Sequence, residues 1–75
     1  MAWRSEIEEL LAEELGMLAS MIIDEILSEL RITESKMSGR YGSKFIKILE
    51  KKTMRDMENP QLIRQVYKLI LELPY

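Results

Sequence analysis

Seventy-five residues allow one domain at most, near the lower limit at which a lone hydrophobic core suffices, and the chain has neither cysteine nor histidine. Disulfides are therefore excluded, the usual zinc sites lack their ligands, and no Ser-His or Cys-His nucleophile can be assembled. The net charge of −2 conceals a polarised chain: residues 1–35 carry two basic and nine acidic side chains, residues 36–75 nine basic and four acidic.

Helical periodicity dominates and no period-2 alternation appears, so three helices are expected, one long and two shorter. The first is predicted over about 5–31. Ser5-Glu6-Ile7-Glu8 has capping-box spacing, and Glu6, Glu8 and Glu9 sit where the helix dipole favours anions. This helix could extend toward Met37, with Gly39 as its left-handed C-terminal residue. Residues 33–43 hold two glycines and half of the serines, and form the one connection long enough to be mobile. A second helix is predicted over 43–57, capped by Ser43. Asn59-Pro60 is the sharpest boundary, with asparagine as cap and proline at the first helical position. The third helix runs over 60–73, and Pro74 prevents its continuation. The whole of 1–75 is read as a single helical domain, with no internal repeat visible. No apolar run approaches the roughly 20 residues needed to span a bilayer, and the first residues lack the pattern of a signal peptide. The expected location is cytoplasmic.

On the first predicted helix Ile7, Leu11, Leu15, Leu18, Ile22, Ile26 and Leu30 form one stripe at spacings of mostly four, the expected seat of the other two helices. A second row, Trp3, Leu10, Met17 and Met21, lies to one side of it. Gly16 and Ser20 beside that row would admit a close helix approach. The third predicted helix buries Leu62, Ile63, Val66, Leu69, Ile70 and Leu73, with Tyr67 and Leu71 extending the apolar arc. Three short rods cannot easily hide so many faces, so Trp3, Leu10, Met17, Met21, Tyr67 and Leu71 are read as a partner interface, most simply with a second copy. The other reading is that the helices wrap more completely than a helical wheel suggests.

The second predicted helix is two-sided, with Phe45, Ile46, Leu49, Thr53 and Met57 facing one way and Lys44, Lys47, Lys51 and Arg55 the other. Arg40 and Lys52 widen this basic patch, and Ile48 lies at its margin. Three readings stay open. The patch is solvated, or paired with the acidic side of the first helix in the same or a neighbouring chain. It meets an anionic partner, an acidic protein or a nucleic acid. Or it lies on a membrane surface, against which the acidic first helix argues.

No catalytic constellation is legible in the sequence. Glu9, Glu13, Asp24, Glu25 and Glu29 occupy positions of a solubilising face, and neither a catalytic carboxylate pair nor a metal site is expected. Gly39-Arg-Tyr-Gly-Ser-Lys44 has the wrong order and spacing for a phosphate loop and follows no strand; it is read as a turn whose following helix could hold an anion. No cofactor is expected. The six methionines fill core gaps or form an adaptable surface.

The stretch Glu14-Leu-Gly-Met-Leu-Ala-Ser-Met-Ile-Ile-Asp-Glu-Ile-Leu27, with Phe45-Ile-Lys-Ile-Leu49 and Val66-Tyr-Lys-Leu-Ile70, resembles a small uncharacterised helical domain. That domain is appended to bacterial kinases, response regulators and related signalling proteins. The likeness covers residues 10–72 and rests on aliphatic spacing; Gly16-Met17-Leu18-Ala19 stands where those relatives carry Gly-Pro-hydrophobic-Ala, so the proline is absent. The resemblance implies an accessory regulatory or assembly module and brings no catalytic residue. The function expected from the sequence is a non-enzymatic interaction and self-association module, an adaptor, with nucleic-acid binding through the basic helix as the alternative.

Overall fold

The computed structural model describes residues 3–53 and 60–74. Four α-helices carry the fold: α1 (Trp3–Leu15), α2 (Leu18–Leu30), α3 (Gly42–Thr53) and α4 (Pro60–Leu71). Two 3-10 turns, Glu34–Lys36 and Gly39–Tyr41, link α2 to α3. The expected three-helix bundle is thus corrected to four helices, and the long first helix to two.

The division falls at Gly16. Its φ of +58° puts it in the left-handed region, and its N–H donates to the Ala12 carbonyl (2.9 Å) to close the last turn of α1. The chain then folds back. The Arg4 guanidinium near the start of α1 lies 2.8 Å from the Asp24 carboxylate and 3.1 Å from the Ser20 hydroxyl, both on α2. An unbroken helix over 5–31 would be roughly 40 Å long at 1.5 Å per residue, whereas the molecule's longest dimension is 29 Å. The break also rotates the buried face. Ile7, Leu11 and Leu15 face the core before it, and Ala19, Ile23, Ile26 and Leu27 face it afterwards. Leu18 and Ile22, expected to continue the stripe, turn outward, Leu18 to half exposure and Ile22 to the edge of the core.

The start of α1 precedes the Ser5 capping box because Trp3 is anchored by tertiary contacts. Its indole is 7% exposed, packs edge-on against Phe45 (centroids 6.4 Å apart), and donates through Nε1 to the Glu34 carbonyl at 3.0 Å. At the far end of α2, Ile32 N–H reaches the Leu27 carbonyl (3.2 Å) and Arg31 N–H the Ser28 carbonyl (3.1 Å). This is a Schellman cap. Its left-handed position, usually glycine, is held here by Arg31 at φ 58°.

Between α2 and α3, Met37 is buried and Gly39 sits against the end of α4. The Gly39 N–H donates to the Pro74 carbonyl (3.1 Å), and a Cβ at that position would lie 3.0 Å from the Leu73 carbonyl oxygen. Glycine is what permits this close approach. On α3, Thr53 is buried and its hydroxyl donates to the Leu49 carbonyl at 2.6 Å, so it enters the core without an unmet polar group. Proline opens α4 where its missing N–H costs nothing. Asn59, expected as its cap, lies outside the described residues, as do Arg55 and Met57.

The helices close in a cycle, α1 against α2 and α4, α3 against α2 and α4. Ile7, Leu11, Ile23, Ile26, Phe45, Leu49, Val66 and Ile70 meet at the centre, fully buried. Among the described residues no buried side-chain nitrogen or oxygen lacks a partner.

Candidate interaction surface

Two cationic side chains act as internal fasteners. Arg4 bridges Asp24 (2.8 Å), Glu34 (3.1 Å) and Glu8 (3.4 Å), so one guanidinium ties α1, α2 and the first 3-10 turn together. Its hydrogen bond to Asp24 is the main reason its pKa stands still higher than usual for arginine. Lys52 on α3 pairs with Glu29 (2.6 Å) and Glu25 (3.8 Å) on α2, and the Glu29 contact raises its pKa. Lys52, expected in the outward basic patch, is therefore engaged in holding α3 to α2.

The other described members of the patch point to solvent. Lys44, Lys47 and Lys51 are exposed on α3 at intervals of three and four, and none is in an ion pair among the described residues. Arg40 is exposed and its guanidinium lies 5.2 Å from the centroid of the Tyr41 ring. Arg55 is outside the described residues.

The expected apolar interface is only partly at the surface. Trp3 is removed from it, since its ring is in the core and its N–H is already satisfied. Met17 is 96% exposed and Met21 57%, and between them Leu18 is 51% exposed. These three form an apolar knuckle at the elbow between α1 and α2. The sequence spacing puts Leu18 in the core stripe, and only the change of phase at Gly16 brings it out. Tyr67 and Leu71 are exposed on α4, the Tyr67 ring lying against Gly42, where a Cβ would come within 3.1 Å of it.

Leu10 is half-buried and has a different setting. With Leu69 it forms the apolar floor of a groove of about 550 Å³ between α1 and α4. Glu6, Glu9 and Glu13 line one wall, Gln65, Lys68 and Glu72 the other. Four carboxylates against one ammonium make the groove acidic. Among the described residues no three potential metal-ligating side chains converge, so these carboxylates are spaced along a wall and do not gather at a point. Glu9 and Glu13 lie on a solubilising face by sequence pattern alone; the groove forms only once α4 is laid against α1.

Among the described residues no helix is long and apolar enough to cross a membrane. The chain matches no family model, and neither a curated protein nor a solved structure shows significant similarity to it.

Proposed function

We propose that this chain is a non-enzymatic interaction module that associates with a second copy of itself and serves as a regulatory or assembly adaptor. The observation that carries the reading is the knuckle of Met17, Leu18 and Met21, three large apolar side chains left in solvent at a rigid elbow. Contiguous apolar surface of this kind marks association sites. Methionine suits such a site because its unbranched, polarizable side chain adapts to the opposing surface. Two copies can bring the same patch together about a two-fold axis. The resemblance to a domain appended to bacterial signalling proteins supports an accessory role.

Sedimentation equilibrium at micromolar concentration tests this, with Met17→Glu as the control. The expected result is a dimer that Met17→Glu shifts to monomer. A wild-type monomer indifferent to the substitution would end the self-association reading.

The row Lys44, Lys47 and Lys51, in no ion pair among the described residues, favours a second reading, nucleic-acid binding through α3. Such binding would weaken with salt by about 0.9 log unit per log unit for each phosphate neutralised on duplex DNA. Absence of retention of duplex or single strands at low salt removes it.

A further inference from the structure

Residues 6–15 (Glu-Ile-Glu-Glu-Leu-Leu-Ala-Glu-Glu-Leu) and 44–53 (Lys-Phe-Ile-Lys-Ile-Leu-Glu-Lys-Lys-Thr) share a pattern of burial in the same register, except that half-buried Glu8 matches buried Ile46 and exposed Glu14 matches half-buried Lys52. Ile7 and Phe45, Leu11 and Leu49, Leu15 and Thr53 occupy matching positions, and all six are buried. Leu10 and Ile48 also match, and both are half-buried at the rim of the core. At the four other matching positions that carry charge in both segments the sign is reversed: Glu6 against Lys44, Glu9 against Lys47, Glu13 against Lys51, Glu14 against Lys52. The repeat is one of burial and charge, with little identity, which is why inspection for repeated letters misses it.

Each helix therefore presents an apolar side chain flanked by three exposed charges at the same intervals. On α1 they are Glu6, Glu9 and Glu13 around Leu10, in the wall and floor of the acidic groove. On α3 they are Lys44, Lys47 and Lys51 around Ile48. The two rows cannot meet within one chain, because α1 packs on α2 and α4 while α3 occupies the opposite place in the cycle. We infer that they meet between chains: the Lys44–Lys47–Lys51 face of α3 docks into the groove between α1 and α4 of a second copy.

The occupant is fixed by complementarity. Charges of opposite sign at equal intervals along two helices come opposite one another in either direction of approach, since intervals of three and four differ by only about 1.5 Å of rise. Ile48 would meet Leu10 and Leu69 and lose its remaining exposure to water. The fold already uses the same chemistry internally, where Lys52 of α3 sits between Glu25 and Glu29 of α2. The contact joins two different surfaces, so it closes a dimer if made reciprocally and propagates head to tail if not. It rests on the reading of the chain as self-associating, and it is separate from the Met17 knuckle.

Charge exchange tests it by light scattering or sedimentation of the full chain at low salt. Lys47→Glu/Lys51→Glu and Glu9→Lys/Glu13→Lys should each weaken self-association at least tenfold. Mixed in equal amounts, the two variants should form a complex again, since each then offers the other a matching face. Circular dichroism confirms folding of each; should either fail to fold, wild-type association must still weaken on going from low to high salt. Oligomers insensitive to salt and to both reversals, yet dispersed by Met17→Glu, overturn this interface and leave self-association standing. A wild-type protein that stays monomeric at all concentrations removes both. A monomer that binds duplex DNA through these lysines assigns the row to nucleic acid and also overturns the inference.

Discussion

Replacing Gly16 with alanine separates a broken helix from a continuous one by the sign of its effect on stability. In the structure Gly16 has φ +58°, and a Cβ there would meet no atom within 4 Å, so the cost of alanine is purely that of the backbone. An L-residue in the left-handed region is disfavoured by roughly 1–2 kcal/mol. Alanine also restricts the unfolded chain, which returns about 0.4–1 kcal/mol. The net expectation is a destabilisation of about 1 kcal/mol, or a Tm lower by roughly 4–8 °C for a domain of this size. Were residues 5–31 one helix, the same change would stabilise by about 0.8–1 kcal/mol, the ordinary advantage of alanine over glycine in a helix interior. Thermal and urea denaturation followed by circular dichroism read the difference directly. Gly16→Asn supplies the control, because asparagine enters the left-handed region more readily, and it should cost less than alanine. A higher Tm for Gly16→Ala would refute the elbow and, with it, the outward turn of Leu18.

The cap at the other end of α2 gives the opposite sign: Arg31→Gly relieves a left-handed non-glycine residue and should stabilise by up to about 1 kcal/mol, seen as a higher urea midpoint at unchanged slope. Trp3 is the sole tryptophan, so the native fluorescence should have the blue-shifted maximum of a buried indole; Trp3→Ala should cost about 3–5 kcal/mol. A red-shifted native spectrum would place the ring at the surface after all. Because the Lys52 pKa is raised by Glu29, its pairing contributes below the ordinary lysine value of 10.5 and is lost as pH rises through the higher folded value. The Tm difference between wild type and Lys52→Met should accordingly hold from neutral pH to about pH 10 and shrink above it; a difference that persists undiminished in stronger alkali contradicts that role.

Local pattern carried the second half of the fold well. The Phe45–Ile46–Leu49–Thr53 row and the Leu62–Val66–Ile70 row are buried as their spacing requires, and Pro60 opens α4. The long first helix was misread because the stripe from Ile7 to Leu30 continues across Gly16 on paper, and a single glycine is tolerated inside a helix. What holds the break is the packing of α2 back on α1, with Arg4 against Asp24 and Ser20, which a helical wheel does not contain. Trp3 was misplaced for a related reason: its partners, Phe45 and the Glu34 carbonyl, are remote in sequence. Lys52 is indistinguishable from Lys51 by type, and only the approach of Glu29 on another helix separates them. Met17 and Met21 were legible as surplus apolar surface, whereas the groove around Leu10 needed α1 and α4 side by side.

The seam between α1 and α4 has a kinetic consequence. Leu10 and Leu69 belong to segments at opposite ends of the described chain, so bringing them together closes the longest loop in the fold. The α1–α2 elbow can form from neighbouring residues, but this seam is expected to zip last and to fray first, and amide exchange along α4 faster than along α2 would reveal it. A second molecule seated in that furrow would then act as a latch, slowing the opening of the weakest edge of the barrel of helices.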